Sequence, residues 1–187
     1  MKLRIICTAL FITISQLSIG QSINDLDIKN GFRNFKLGTS PSQNKNLIKD
    51  EKQNPAFPNV VTYKYYGKDL ETIFSIKVES VKLSFYKNRL FSISINFGDF
   101  GKSFELHEYN TILSTLKQVY GVKYQNPSND EGIITNGAIW DGKNVKLELL
   151  RIDFSKSFTN PKDYGHITGY IHVMDKNITK EMFESQF

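Results

Sequence analysis

The sequence predicts an α+β domain in which helices cover an antiparallel β-sheet of about six strands. From Val60 to Phe97 apolar and polar residues alternate, which is the pattern of strands with one buried face. From 103 to 121 apolar residues recur every three or four positions, which is the pattern of an amphipathic helix. A sheet with one wet face needs a cover for its dry face, and this long helix can supply it.

Strand signals fall in three stretches between 60 and 97, which read VVTYKYYG, TIFSIKVES and VKLSFYKNRLFSISINF. The third stretch is broken by the polar residues Lys87 to Arg89, which predict a hairpin turn. Beyond this turn we expect one buried face, formed by Phe91, Ile93, Ile95 and Phe97. Downstream, DGKN at 141–144 predicts a second hairpin turn, and HITGYIHVM at 166–174 predicts the last strand.

One long helix and one or two short helices are expected. Pro41, after the turn signal LGTS, predicts the start of a short helix, and Ser103 and Gly121 are expected to cap and end the long one. Asn177 spells a glycosylation acceptor with Ile178 and Thr179, but it is better suited to capping a last helix. The order of elements also fits two α-βββ halves, although no residue-level repeat accompanies it.

The first twenty residues have the layout of a signal peptide. Lys2 and Arg4 form a positive region, residues 5–14 are apolar, and residues 18–20 form a small-residue cleavage region. The apolar run is far shorter than the roughly 20 residues of a membrane-spanning helix. We therefore expect residues 1–20 to be removed and residues 21–187 to form a single periplasmic or secreted domain with no transmembrane segment.

Composition then excludes several kinds of chemistry. The only cysteine, Cys7, lies in the signal peptide, so the mature chain is expected to have no disulfide, thiol nucleophile or thiolate metal site. Without Lys2 and Arg4 the chain keeps 22 basic and 19 acidic side chains, a net charge of +3. Because the lysines are dispersed and form no basic run, nucleic acid is not an expected partner.

Two of the three histidines, His166 and His172, lie six positions apart on the last predicted strand. At ~3.3 Å per residue their Cα atoms would be ~20 Å apart, too far for one tetrahedral metal ion. We therefore expect both to be polar residues on the wet face, with Tyr170 between them, and we expect no metal and no cofactor.

No known catalytic motif occurs in the sequence. It has no nucleophile elbow, HExxH or phosphate-binding loop, and GDFG at 98–101 lacks the other motifs of a protein kinase. We therefore expect a noncatalytic protein with no catalytic residues. The alternative is a hydrolase acting on glycans or peptides, which a cleft formed by His166, Tyr170 and His172 beside buried carboxylates would favour.

Aromatic residues are the remaining functional signal. The candidate binding residues are Tyr63, Trp140, Tyr164, His166, Tyr170 and His172, since exposed tyrosine and tryptophan suit protein or sugar binding. For Trp140 a place in the core is the stronger alternative, because aromatic residues commonly support hairpins. The expected partner is a protein or an envelope glycan, and carbohydrate binding without catalysis is also open. The oligomeric state cannot be inferred from these patterns.

Short stretches resemble known families. FKLGTSPSQNKNLI, the hairpin LSFYKNRLFSISINF and the helix ending QVYG resemble small exported α+β modules of the BamE and SmpA type and β-lactamase-inhibitor-like domains. The most similar part is LGTS, Leu37 to Ser40, with Pro41 after it. The resemblance implies a noncatalytic scaffold that binds another protein in the cell envelope. The chain lacks the lipidated cysteine and the disulfides common in those groups, and its composition resembles exported proteins of Bacteroidota.

Overall fold

A computed structural model describes residues 22–99, 101–129, 132–156 and 167–185. The predicted signal peptide, Tyr164 and His166 lie outside the described residues.

Seven strands form the main sheet, one more than the predicted six, and four two-residue strands form two separate ladders. Every neighbouring pair is antiparallel, and the spatial order of the main sheet is β3-β4-β7-β8-β11-β10-β9. The long strands alternate apolar and polar residues, so one face of the sheet is dry. The main strands are β3 (Leu47–Lys49), β4 (Val60–Tyr65), β7 (Ser80–Tyr86), β8 (Arg89–Phe97), β9 (Ile134–Asp141), β10 (Val145–Asp153) and β11 (Ile167–Asp175).

The four short strands form two tight hairpins, one of which replaces a predicted longer strand. In the stretch predicted as TIFSIKVES, β5 (Thr72–Ile73) and β6 (Ile76–Lys77) pair around a turn in which Phe74 and Ser75 have positive φ angles. A second tight hairpin joins β1 (Gly31–Phe32) and β2 (Phe35–Lys36). Both hairpins place apolar residues in the core, but Ile73 and Ile76, like Phe32 and Phe35, lie three positions apart across a tight turn and not on one face of a continuous strand.

Within the described residues three α-helices accompany the sheet: α1 (Asn24–Lys29), α2 (Leu106–Tyr120) and α3 (Lys176–Glu184). The predicted long helix ends at Gly121 as expected, but its cap is Glu105, which forms a capping box with Glu108, instead of Ser103. The last helix is capped by Asp175 and not by Asn177. The short helix predicted at Pro41 is a single 3₁₀ turn.

The main core lies between α2 and the dry face of the sheet. Helix α2 contributes four buried apolar side chains to this core, Tyr109, Ile112, Leu116 and Tyr120. They meet fully buried sheet residues from both halves of the sheet, including Leu83, Ile93, Ile95, Trp140, Leu147, Leu149, Ile171 and Val173. The predicted packing of a long amphipathic helix on an antiparallel sheet is therefore confirmed.

A β-bulge corrects one predicted face. The register between β7 and β8 shifts at Ser84 and Phe85, so that Phe85 faces Leu90 and not Phe91. Leu90 consequently joins Ile93, Ile95 and Phe97 in the main core. Phe91 belongs to a second, smaller cluster with Tyr86 and with Ile178 and Met182 of α3. The prediction that Phe91 shares the face of Ile93 was wrong because the extra residue inverts the alternation.

Helix α1 is joined to the β9–β10 hairpin by a single carboxylate. Asp27 accepts hydrogen bonds from the backbone N–H groups of Lys143 at 2.7 Å and of Asn144 and Val145 at 2.8 Å. Burial acts to raise the pKa of Asp27, but these three donors and nearby Lys176 outweigh it and lower the pKa. The N-terminal helix is thus fixed to a turn more than a hundred residues away in sequence.

Candidate functional site

The face of the main sheet opposite α2 is the candidate functional site, and we call it the open face. Helix α3 packs over Phe91 and Tyr86, whereas the centre of this face carries polar and half-exposed side chains. Strand pairing places these side chains in adjacent rows across five strands. The open face consists of Thr62, Lys64, Lys82, Ser84, Ser92, Ser94, Asn96, Lys146, Glu148, Leu150, Tyr170, His172 and Met174.

A chain of polar contacts crosses three strands at the centre of the open face. His172 on β11 lies between Ser92 on β8 and Glu148 on β10: its Nε2 is 2.7 Å from the Ser92 hydroxyl, and its Nδ1 is 3.5 Å from a Glu148 oxygen. Lys146 forms an ion pair with the same carboxylate. If Nδ1 carries the proton toward Glu148, Nε2 is left to accept a hydrogen bond from Ser92.

The Glu148 carboxylate is strongly biased toward its charged form. The hydrogen bond from His172 is the largest influence and lowers its pKa, burial acts in the opposite direction, and Lys146 lowers it further. The net result is a pKa of about 2, compared with an ordinary value of 4.5. Glu148 therefore remains ionised through the neutral and mildly acidic range and keeps His172 and Lys146 in place.

A second charged group lies toward the β3 edge of the sheet. Asp50 is 5% exposed, and its carboxylate lies 3.7 Å from the Lys64 ammonium and 3.4 Å from the Lys82 ammonium. Lys64 and Lys82 face each other on neighbouring strands, where two like charges repel unless an anion lies between them. Asp50 supplies this anion, and the group keeps one excess positive charge.

Of the four predicted site residues that the structure describes, two lie together. Tyr170 and His172 lie on the open face, two positions apart on β11, opposite Asn96 and Ser94. Tyr63 lies on the dry side, where its ring meets the Phe85 ring edge-on with centroids 5.5 Å apart.

Trp140 lies in the core and has no exposed surface. Its indole N–H donates a hydrogen bond to the Gly121 carbonyl at 2.9 Å, and its ring packs against Tyr120 and Tyr124. This is the core placement that the sequence left open, and it leaves Trp140 no surface with which to contact a ligand directly.

Sequence reasoning did not select Ser92, Lys82, Lys146 or Glu148 as site residues. The alternation of β7 and β8 did place Lys82, Ser92 and Ser94 on a wet face. Their association with His172 depends on β8 pairing with β11, a contact across 80 residues. No local pattern specifies that pairing.

The contacts of Ser92, His172 and Glu148 follow the order of a Ser-His-acid catalytic triad. A nucleophilic serine needs an accessible oxygen and N–H donors directed at the oxyanion that forms. Ser92 is only 7% exposed and lies within the sheet, with Ser84 and Met174 as its paired neighbours. The geometry therefore suits a structural hydrogen-bond chain better than acyl transfer.

Across the described ranges, no group of three or more His, Cys, Asp or Glu side chains is arranged to hold a metal ion. Over the same part of the chain, no helix is both long and apolar enough to cross a membrane.

Fold and site together define an α+β domain with a seven-stranded antiparallel sheet, covered on one face and carrying an ordered polar surface on the other. Residues 30–184, most of the chain, match the family described as the TP0088 domain. The chain belongs to the TP0088 domain family. No curated protein and no solved structure matches it.

Proposed function

We propose that this protein is an exported, noncatalytic binding module that docks a protein of the cell envelope on its open face. The observation that carries the proposal is the ordered row of polar side chains left uncovered at the centre of the sheet. Ser92, His172 and Glu148 already hold one another in place before any partner arrives. Binding through side chains that are already ordered costs less conformational entropy than binding through mobile ones.

The composition of the open face supports a protein partner. Tyr170 and His172 are partly exposed, and tyrosine is enriched among residues that dominate the energy of protein interfaces. The excess positive charge at Lys64 and Lys82 would favour an acidic group on the partner. A protein surface of the usual size, roughly 800 Å² per partner, requires contacts over several strands of such a sheet.

Strand order supports the finer proposal that the sheet consists of two βββ halves. Strands β4, β7 and β8 form one meander and β9, β10 and β11 form the other. The two meanders meet through their last strands, β8 and β11, with Gly169 opposite Phe97 and Met174 opposite Ser92. The open face then extends across both halves, as would suit the resemblance to β-lactamase-inhibitor-like domains.

The test is retention of envelope proteins on the immobilised protein, identified by mass spectrometry, with two matched variants. Ser94→Arg introduces a bulky charge at the centre of the open face, between Lys82 and His172. Ser114→Arg makes the same change on the exposed surface of α2. We expect the wild-type protein and Ser114→Arg to retain the same partner, and Ser94→Arg to lose it. Equal retention by both variants would exclude the open face as the docking surface.

Hydrolysis is the second candidate function, because the contacts of Ser92, His172 and Glu148 follow the order of a catalytic triad. If Ser92 were the nucleophile of a hydrolase, its hydroxyl would react with a serine-directed fluorophosphonate. Because Ser92 is nearly inaccessible, we expect no labelling. Labelling at Ser92 that disappears in His172→Ala would favour the hydrolase instead.

A further inference from the structure

A cavity of about 550 Å³ lies beside the edge strand β9, away from the centre of the open face. Its volume falls within the roughly 300–1,000 Å³ range of small-molecule sites. The cavity is formed where the end of α2 and the segment after it approach the first described residues of the chain. Its walls are mainly apolar, formed by Ile23, Val122 and Ile139 and by the rings of Tyr120 and Tyr124.

The walls are fixed by contacts behind them. The Gln125 N–H donates to the Ile139 carbonyl at 2.8 Å, and the Ile139 N–H donates to the Gln125 carbonyl at 2.9 Å, so the segment after α2 is attached to β9. Trp140 donates to the Gly121 carbonyl and packs against both tyrosines. Val122, between these attached segments, is 75% exposed, so its side chain is accessible to a ligand.

One lysine, Lys123, lines the cavity, and two more lie against its aromatic walls. The Lys29 ammonium lies 5.1 Å from the centre of the Tyr120 ring, and the Lys117 ammonium lies 5.0 Å from the centre of the Tyr124 ring. None of the three forms a salt bridge with a carboxylate of the described residues.

Asp141 is the carboxylate that lines the cavity, and it is paired with Lys176 at 2.8 Å. Asp25 lies nearby and accepts a hydrogen bond from the Ser22 N–H. Lys123 is therefore the charged group of the lining that has no salt-bridge partner among the described residues, beside walls that are mainly apolar. An anion with an apolar body would complement both features.

We infer that this cavity binds an amphipathic anion, specifically a free fatty-acid carboxylate, with its chain against Ile23, Val122 and Ile139 and its head group at Lys123. The inference is independent of the open face, because Ser94 and His172 do not line the cavity. Burial of an apolar chain supplies most of the binding free energy, and the charges select a carboxylate over an uncharged head group.

The test is calorimetric titration of the purified protein with decanoate, decyl maltoside and acetate. Decanoate carries both the chain and the anion, decyl maltoside carries the same chain without charge, and acetate carries only the anion. We expect saturable binding of one decanoate, binding of decyl maltoside at least about fivefold weaker, as for one surface ion pair, and no detectable binding of acetate. Binding of decyl maltoside as tight as that of decanoate, or no saturable binding of decanoate, would overturn the inference.

Trp140 reports where the ligand binds. It is the only tryptophan in the chain, and it touches two tyrosines that line the cavity. Decanoate should therefore change its fluorescence in proportion to the occupancy measured by calorimetry. Saturable binding with unchanged fluorescence would place the ligand elsewhere and contradict the assignment.

Four variants locate the site. Val122→Asp places a negative charge in the apolar wall and should weaken decanoate binding at least about tenfold, whereas Val122→Leu should not. Lys123→Glu should weaken binding about fivefold, whereas Lys49→Glu, on the opposite edge strand, should leave it unchanged. Equal effects of the two lysine variants would show general charge attraction and not a site.

Anionic vesicles that bind the protein without competition from decanoate would overturn the free fatty acid as occupant.

Discussion

The imidazole Nε2 of His172 lies 2.7 Å from the hydroxyl oxygen of Ser92. His172 is on β11 and Ser92 is on β8, the two strands through which the halves of the sheet meet. The other ring nitrogen faces Glu148. One side chain thus links β8, β11 and β10 on the face that the helices leave uncovered. This link makes part of the acid stability of the sheet depend on the Glu148 carboxylate.

Replacing Glu148 by Gln should flatten the acid limb of the stability curve. The pKa of Glu148 is lowered from 4.5 to about 2 in the folded protein, so its charge stabilises the fold above pH 4.5, and that contribution is lost as the pH falls toward 2. Urea unfolding at a series of pH values should show a shallower decline below pH 4.5 for Glu148→Gln than for the wild-type protein.

Glu184→Gln is the matched control for this experiment, because the Glu184 side chain is 67% exposed. Its acid limb should match that of the wild-type protein. A Glu148→Gln curve that also coincides with the wild-type curve between pH 2 and 4.5 would show that the contacts with His172 and Lys146 add no pH-dependent stability.

The Asp27 carboxylate should be needed for stability although α1 is only six residues long. Asp27→Ala leaves the N–H groups of Lys143, Asn144 and Val145 without their acceptor, and we expect a loss of about 1–3 kcal/mol in the free energy of unfolding. Glu51→Ala, at an exposed loop position, should change it by less than about 0.5 kcal/mol. Equal urea midpoints for both variants would mean that water replaces the carboxylate without cost.

Local patterns predicted the parts of the fold that depend on local physics. Alternation located the long strands, and three- and four-residue spacing located α2, since each pattern reflects burial of one side of an element. Lys87 and Asn88 have the positive φ angles expected of the turn predicted there. The bulge at Phe91 was not predictable, because one extra residue in β8 is visible only against its partner strand.

The candidate site was predicted less completely for the same reason. Alternation placed Tyr170 and His172 on the wet face, yet Ser92 and Glu148 became their neighbours only through the pairing of β11 with β8 and β10. For Trp140 the sequence favoured a core position over a binding position, and the structure places it in the core, hydrogen-bonded to the Gly121 carbonyl. Composition and residue spacing along the chain do not specify such long-range contacts.

Gly169 should tolerate no larger residue, because a Cβ atom there would lie 2.4 Å from the Phe104 ring. Phe104 is 1% exposed and stacks on Phe97, so it has no free space into which to move. We expect Gly169→Ala to lower the free energy of unfolding by about 1–3 kcal/mol.

Gly101→Ala is the control for this change. Its Cβ would approach only the Asp99 carboxylate, at 3.3 Å, so the urea midpoint should stay within about 0.5 kcal/mol of wild type. If both alanine variants unfolded at the wild-type midpoint, β11 would have to shift readily against Phe104, contrary to the close packing seen here.

Helix α3 should open independently of the main core, because it is attached through a separate small cluster. Met182 and Ile178 pack on Tyr86 and Phe91, and none of these four residues belongs to the core under α2. Removing the Met182 side chain leaves a cavity in a cluster too small to compensate for it, so Met182→Ala should cost about 2 kcal/mol, mostly as local opening of α3. Hydrogen exchange should then speed up at the amides of 178–184 while those of α2 keep wild-type protection.

Lys180→Ala, at a side chain that is 74% exposed, should leave both helices protected. Equal loss of protection in α3 and α2 with Met182→Ala would instead show that the two clusters unfold as one cooperative unit. In that case the α3 end of the open face could not change shape unless the whole domain unfolded.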